Sequence, residues 1–276
     1  MIYAITDKDD ELVKVEYFPA GEQKIVNDFK GHIVYGFRWI YENDAELFTL
    51  YCLTKMRNFY GIFLDMPYIP HARMDRVKTE KDVFTLKFFC QMINSMNFIT
   101  VNVLDAHSDV SLALLDRVQQ LNTFKYVNQA IEDIGTEDLV IFFPDAGAHK
   151  RYDYHEFPST YGIKSRDWET GRIESLEIAN PELVKGKKVL IIDDICSYGG
   201  TFLRSADALK EAGAEEVYLY VSHCENSIFK GKLPESNLIK RVYTTNSLPR
   251  EDEEYSVMNG WFKVFDIDYR VPLIFD

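Results

Sequence analysis

The chain has 276 residues, 46% hydrophobic and 27% charged, the balance of a soluble globular protein with room for one large α/β domain or two lobes. Its formal net charge of -13 argues against general nucleic-acid binding, which needs clustered basic charge, yet leaves phosphate binding open through backbone amides, a few Lys and Arg, and a metal. No apolar run reaches the ~18 residues of a membrane span, the start MIYAITDKDD has no signal-peptide pattern, and Cys52, Cys90, Cys196 and Cys224 form no CxxC pair, so a cytoplasmic protein without disulfides or zinc is expected.

In chain order, short apolar runs alternate with longer amphipathic ones, which predicts an α/β fold with a mostly parallel sheet and crossover helices. A strand at 32–37 (HIVYGF) precedes a helix near 43–57, and a strand at 61–66 (GIFLDM) precedes a helix near 81–96 with Val83, Leu86, Cys90 and Ile93 as its apolar stripe. A strand follows at 98–104 (FITVNVL). The segment 122–137 (NTFKYVNQAIEDIGTE) is read as the separator of two lobes, 1–126 and 127–276. The second lobe holds strands at 139–143 (LVIFF), 188–193 (KVLIID) and 216–222 (EVYLYVS), with a helix at 201–212 closed by Gly213.

Four strands end directly in polar clusters: PYIPHARMDR, DAHSD, PDAGAHKR and DDICSYGGT. Ligands of open α/β sheets bind outside the carboxyl ends of the strands, so these clusters are expected to meet at one edge. The last cluster is the most specific. A strand, a glycine turn and a helix offer free amides to a phosphate, with Gly199 and Gly200 allowing close approach and Thr201 adding a hydroxyl. Asp193 and Asp194 beside an anion make sense if they hold ribose hydroxyls or a cation; without a ligand they would be a strand end and a helix cap.

This stretch resembles the ribose-phosphate loop of the phosphoribosyltransferase fold, and the remaining clusters narrow the resemblance to the ribose-phosphate pyrophosphokinases (PRPP synthetases). PYIPHARMDR is similar to their PYxxYARQDR, VLDAHSD to VDLHxxQ, FFPDAGAHKR to SPDxGGxxR, FPAGE at 18–22 to FxDGE, and GIKSR at 162–166 falls where the family has its catalytic KRR loop. EVYLYVSHC and VYTTNSL resemble two later segments, so the ordered set covers about residues 15–248. The resemblance implies two phosphoribosyltransferase-like, Rossmann-like lobes and transfer of the β,γ-diphosphate of ATP to the 1-hydroxyl of a ribose 5-phosphate, with release of AMP. It assigns catalysis to Lys164, Arg166 and His107, and ATP binding to Phe18, Glu22, Arg73, Asp75, Arg76 and His107. Asp193, Asp194, Ser197, Tyr198, Gly199, Gly200 and Thr201 would bind the ribose phosphate, and Asp105, His107 and Asp145 would serve Mg²⁺, which favours oxygen ligands with retained water. A homodimer or larger homo-oligomer is implied, because the adenine pocket of the family crosses subunits. Cys196 reads as a small spacer, since the reaction needs no covalent intermediate.

The departures bear on the acceptor. Ser197-Tyr198 stands where the family has Asp-Thr, Met74 replaces a Gln, Ala20 an Asp and Ala148 a Gly, and 249–276 does not resemble the usual ending. A bulky ring in place of the phosphate-binding Thr suits ADP-ribose, whose 5-phosphate is a diester; an ordinary PRPP synthetase that uses ribose 5-phosphate is the other reading. A phosphoribosyltransferase would leave ARMDR and DAHSD unexplained. A non-catalytic relative would not need Lys164 and Arg166.

Overall fold

Among the described residues, two large sheets, each with its own helices, and one two-stranded hairpin make up the chain, which divides between Asn122 and Thr123. The computed structural model describes every residue except 27–28, 30, 57–60, 153–156, 167–172, 251–259 and 270–276, and only the main chain at 164–166 and 173–175.

The first unit runs from Met1 to Asn122 and includes Ser247–Pro249, Asp268 and Tyr269. Its elements are β1 (Ile2–Thr6), β2 (Asp10–Leu12), β3 (Lys14–Tyr17), β4 (Gln23–Val26), β5 (Val34–Trp39), α1 (Ala45–Met56), β6 (Phe63–Asp65), α2 (Thr85–Ser95), β7 (Val101–Leu104), α3 (Asp109–Leu114) and β8 (Val118–Leu121). The sheet order is β2-β1-β5-β6-β7-β8, parallel from β5 to β8 and antiparallel at β1 and β2, while β3 and β4 form a separate hairpin. Parallel neighbours need crossovers, and α1, α2 and α3 supply them. α2 starts at Thr85, so Val83 lies outside it and is exposed; the buried stripe is Leu86, Phe89, Cys90 and Ile93, at the i, i+3, i+4, i+7 spacing of one helix face. β6 and β7 are shorter than the apolar runs predict. Gly61 and Asn97 turn the chain at positive φ, and Ile62 and Phe98 enter the core ahead of the strands.

One polar row crosses this sheet. Arg38, Asp65 and Asn102 stand side by side on β5, β6 and β7. Asn102 donates to Asp65 at 2.8 Å, the Arg38 guanidinium lies 3.7 Å from Asp65, and the Tyr269 ring covers Arg38 at 3.9 Å. Burial dominates over these partners and pushes the Asp65 carboxyl up to about 6. The folded protein therefore holds this proton more tightly than the unfolded chain. Its contribution to stability is complete below the unfolded value and is lost as pH rises to about 6, at a cost of about 3 kcal/mol at neutral pH. Asp65→Asn is expected to raise stability at pH 7.5 relative to the parent, with the difference vanishing toward pH 4, as read by urea unfolding across that range.

The second unit comprises Thr123–Asn246 with Arg250 and Gly260–Ile267. It contains α4 (Phe124–Ile134), β9 (Leu139–Phe143), α5 (Ala146–Tyr152), β10 (Ser159–Arg166), β11 (Ile173–Ile178), β12 (Lys188–Cys196), α6 (Gly200–Glu211), β13 (Glu216–Cys224), β14 (Arg241–Thr245) and β15 (Phe262–Phe265). The order is β11-β10-β9-β12-β13-β14-β15, parallel throughout except at the β10–β11 hairpin. The expected separator at 122–137 is α4, a helix of this unit that buries Tyr126, Val127, Ala130, Ile131 and Ile134. β9 coincides with its predicted span. β12 and β13 pass their predicted ends and stay paired as far as Cys196 and Cys224, because main-chain pairing does not require apolar side chains. The strand thus carries Asp193 and Asp194 instead of stopping at them. Among the described residues, no helix is long and apolar enough to cross a membrane.

Candidate active site

In the second unit β12 lies beside β9, and both point their carboxyl ends the same way, so the chain after Phe143 and the chain from Asp193 to Thr201 share one sheet edge. α6 begins there. Its N-cap, Gly199, has φ +78, and a Cβ at that position would meet Leu233 at 2.9 Å, so a left-handed turn and a close neighbour both demand glycine. No side chain caps the helix, and nothing lies within 4 Å of a Cβ built on Gly200, so the first-turn amides are approachable. Thr201 is the second helical residue and is half-buried, as is Ser197. Gly231 supports the turn from behind, where a Cβ on it would stand 2.1 Å from the Tyr198 carbonyl oxygen. The main chain of Tyr198 is therefore pinned while its ring is 62% exposed. An uncapped, glycine-lined helix start of this kind can accept an anion.

Next to it stand the two carboxylates. Asp193 Oδ1 accepts the Asp194 amide at 3.0 Å, and Arg151 Nη1 on α5 lies 3.3 Å from Asp194 Oδ1. Burial, then the neighbouring Asp194, and less strongly Asp145, hold Asp193 well above the usual carboxylate range. Raised in this way, Asp193 favours a proton, a cation or hydroxyl donors beside it. Arg151 was not among the expected site residues, although it ends the PDAGAHKR cluster, four residues on from Gly147. Asp145 also shapes the main chain, because its Oδ1 accepts the amides of Gly147 and Ala148, both at 3.0 Å, and so caps α5.

In the first unit, adjacent β6 and β7 bring 67–76 and 105–109 to one edge. Asp105 is buried at φ 45 and His71 turns the 67–76 segment at φ 63. Asp105 is thus placed by a left-handed residue, a conformation that Asp tolerates better than most side chains. Burial works to raise Asp75, but the hydrogen bond from Arg76 (2.9 Å), the nearby Ser108 hydroxyl and the Arg76 and His107 charges outweigh it and hold the carboxyl below its ordinary value. Asp75, Arg76, Ser108 and His107 are therefore brought together, with Arg73 exposed on the same segment. Phe18 and Glu22 lie in the β3–β4 turn, closed by the Phe18 amide on the Glu22 carbonyl at 2.9 Å and by Gly21 at φ +88. Phe18 is 51% exposed there.

Asp105 and His107 belong to one unit and Asp145 to the other, and among the described residues no group of three His, Cys, Asp or Glu could hold a metal ion. Lys164 and Arg166 lie on β10, paired with Leu176 and Ile173 on β11, and their side chains are outside the described residues. Gly231→Ala is expected to destabilise the protein by about 1–3 kcal/mol by forcing the Tyr198 turn to shift. Gly200→Ala, which meets nothing, should change stability by less than about 1 kcal/mol. Urea unfolding of both variants checks the contrast.

Residues 157–253 match the family model described as a phosphoribosyl transferase domain. A ribose-phosphate pyrophosphokinase of Listeria monocytogenes is 30% identical over 222 residues, which cover 78% of this chain and 68% of the relative. One from Pyrococcus abyssi is 26% identical over 260 residues, covering 90% of this chain and 88% of the relative. The fold matches that of a phosphoribosylpyrophosphate synthetase from Mycobacterium smegmatis with a TM-score of 0.75 at 22% identity, over 98% of this chain and 88% of that one.

Proposed function

The chain belongs to the ribose-phosphate pyrophosphokinase family, and from that membership we propose that it transfers the β,γ-diphosphate of ATP to the 1-hydroxyl of a ribose 5-phosphoryl acceptor, with ADP-ribose preferred over ribose 5-phosphate. The observation that carries the transfer is the open amino terminus of α6 set beside the Asp193–Asp194 pair, one part fitted to a phosphate and the other to sugar hydroxyls. In the reaction the acceptor oxygen bonds to the β-phosphorus as the bond from that phosphorus to the α,β-bridging oxygen breaks, AMP leaves with that oxygen, and the hydroxyl proton passes to solvent. Such displacements are accelerated chiefly by positioning and by stabilising charge.

The residues divide this work. The first-turn amides of α6, with Ser197 and Thr201, hold the acceptor's 5-phosphate, while Asp193 and Asp194 accept its ribose hydroxyls. Arg151, whose Nη1 lies 3.3 Å from Asp194 Oδ1, orients that carboxylate. Arg73, Arg76 and His107 face the ATP phosphates, and Asp75, which is ionised, orients Arg76. Phe18 and Glu22 take the adenine, in keeping with a homo-oligomer in which the hairpin serves a neighbouring subunit. Lys164 and Arg166 are assigned to the transferring phosphoryl groups by their place in the family's motif order.

Mg²⁺ fits this donor set even without a three-residue cage, because it keeps waters and is usually held by one or two carboxylates together with substrate phosphates. Asp105 with His107, and Asp193 with Asp145, are the residues for it. When bound, the ion would neutralise charge on the phosphates.

The acceptor preference rests on Tyr198, whose exposed ring replaces a phosphate-binding hydroxyl and is available to stack on groups beyond the 5-phosphate. With Mg-ATP, AMP release is expected to be at least about tenfold faster in kcat/KM with ADP-ribose than with ribose 5-phosphate. The product should gain two phosphoryl units by mass. Tyr198→Thr should narrow or reverse the preference. A parent enzyme that prefers ribose 5-phosphate would leave the transfer intact and remove the ADP-ribose assignment. No AMP release with either acceptor would remove the transfer itself.

A further inference from the structure

The second unit holds a cavity of about 720 Å³ whose lining includes Asp133, Lys188, Glu216, Tyr218, Lys240 and Arg241. Lys188, Glu216 and Arg241 are the first residues of β12, β13 and β14, and Lys240 immediately precedes β14. Because these strands are parallel, the cavity lies at their amino ends, at the opposite edge of the sheet from Asp193 and the start of α6. It is therefore separate from the phosphoryl-transfer site.

Both carboxylates in the cavity are already engaged. Asp133 on α4 accepts Lys263 at 2.7 Å, Arg241 at 2.8 Å and the Tyr243 hydroxyl at 2.8 Å, and these donors, against the cost of burial, lower it to about 2. Glu216 accepts Lys240 and the Tyr218 hydroxyl and is likewise lowered. Lys188 donates to the Ile134 carbonyl at 3.2 Å, at the end of α4. Four cations thus surround two ionised acids in a chain whose formal net charge is -13. The acids and tyrosines hold the cationic groups in place, so part of the ordering cost of a binding site is met before a ligand arrives. Trp261 closes one side, its indole nitrogen donating to Ile239 at 2.8 Å. Three of these cations, Lys188, Lys240 and Arg241, line the cavity against the two acids, so the lining carries a surplus of one positive charge, which suits a small anion.

We propose that this cavity binds a small phosphate or carboxylate anion, held by Lys188, Lys240 and Arg241 against the Trp261 side. Its occupation does not depend on the reaction assigned to the other edge.

The test uses full-length protein labelled with 5-fluorotryptophan. The Trp261 resonance is assigned with Trp261→Phe and followed by ¹⁹F NMR during titration with inorganic phosphate and, separately, with succinate. A saturable shift of that resonance with either anion is expected, and the anion that acts identifies the chemistry. Lys188→Gln and Lys240→Gln, checked for unchanged thermal unfolding, should each weaken it about tenfold. Because Lys240 is largely exposed and Lys188 has a main-chain acceptor, one folding failure still leaves the other variant to decide. A shift that keeps its midpoint in the folded variants, or no shift with either anion up to tens of millimolar, would overturn the assignment.

Discussion

Two neighbouring carboxylates on a covered strand cannot both ionise cheaply, and the second unit is arranged around that constraint. β12 could have ended at Ile192, where the apolar run ends; instead it continues, paired with β13, through Asp193 and Asp194 to Cys196. The pairing fixes the acids with respect to the helix start that follows. α5, capped by Asp145, brings Arg151 to Asp194. Asp193, raised by burial and by Asp194, makes the edge receptive to a cation or to hydroxyl donors, while the open amides of α6 make the adjoining position receptive to an anion. A ribose phosphate presents both kinds of group a few ångströms apart.

The first unit uses a different device. Asp75 is ionised chiefly because Arg76 reaches it, and Asp105 is aimed by a left-handed turn at the end of β7. Its row of Arg38, Asp65 and Asn102 crosses the sheet, with Asp65 and Asn102 buried and Arg38 half-buried. At the two candidate edges the acids thus differ: donors lower Asp75 in the first unit, whereas burial and a neighbouring carboxylate raise Asp193 in the second.

Much of this was legible in the sequence. LVIFF is β9 without adjustment, and the polar clusters after four strands do fall at carboxyl edges, in pairs within each unit. What escaped has physical reasons. The ends of β12 and β13 were hidden because hydropathy tracks side chains, whereas a sheet is joined through the main chain. α4 was taken for a connector because Asn128, Gln129, Glu132 and Asp133 dilute its apolar residues, although those residues recur on one helical face. The β3–β4 hairpin has mostly exposed residues and gives no alternating pattern of burial strong enough to read. Arg151 was overlooked because nothing in a linear motif says which basic residue reaches back to a carboxylate on the next strand. The brace of Gly231 behind Tyr198 joins positions more than thirty apart in the chain and becomes visible only through close approach.

That brace has a consequence for how the protein can diversify. Since the turn is held through the Tyr198 carbonyl and not through its side chain, the ring contributes little to folding, and position 198 can be exchanged with small effect on stability. A lineage could therefore sample new substrates at this residue without first acquiring compensating changes elsewhere, which makes position 198 a low-barrier route for evolutionary drift in what the enzyme accepts.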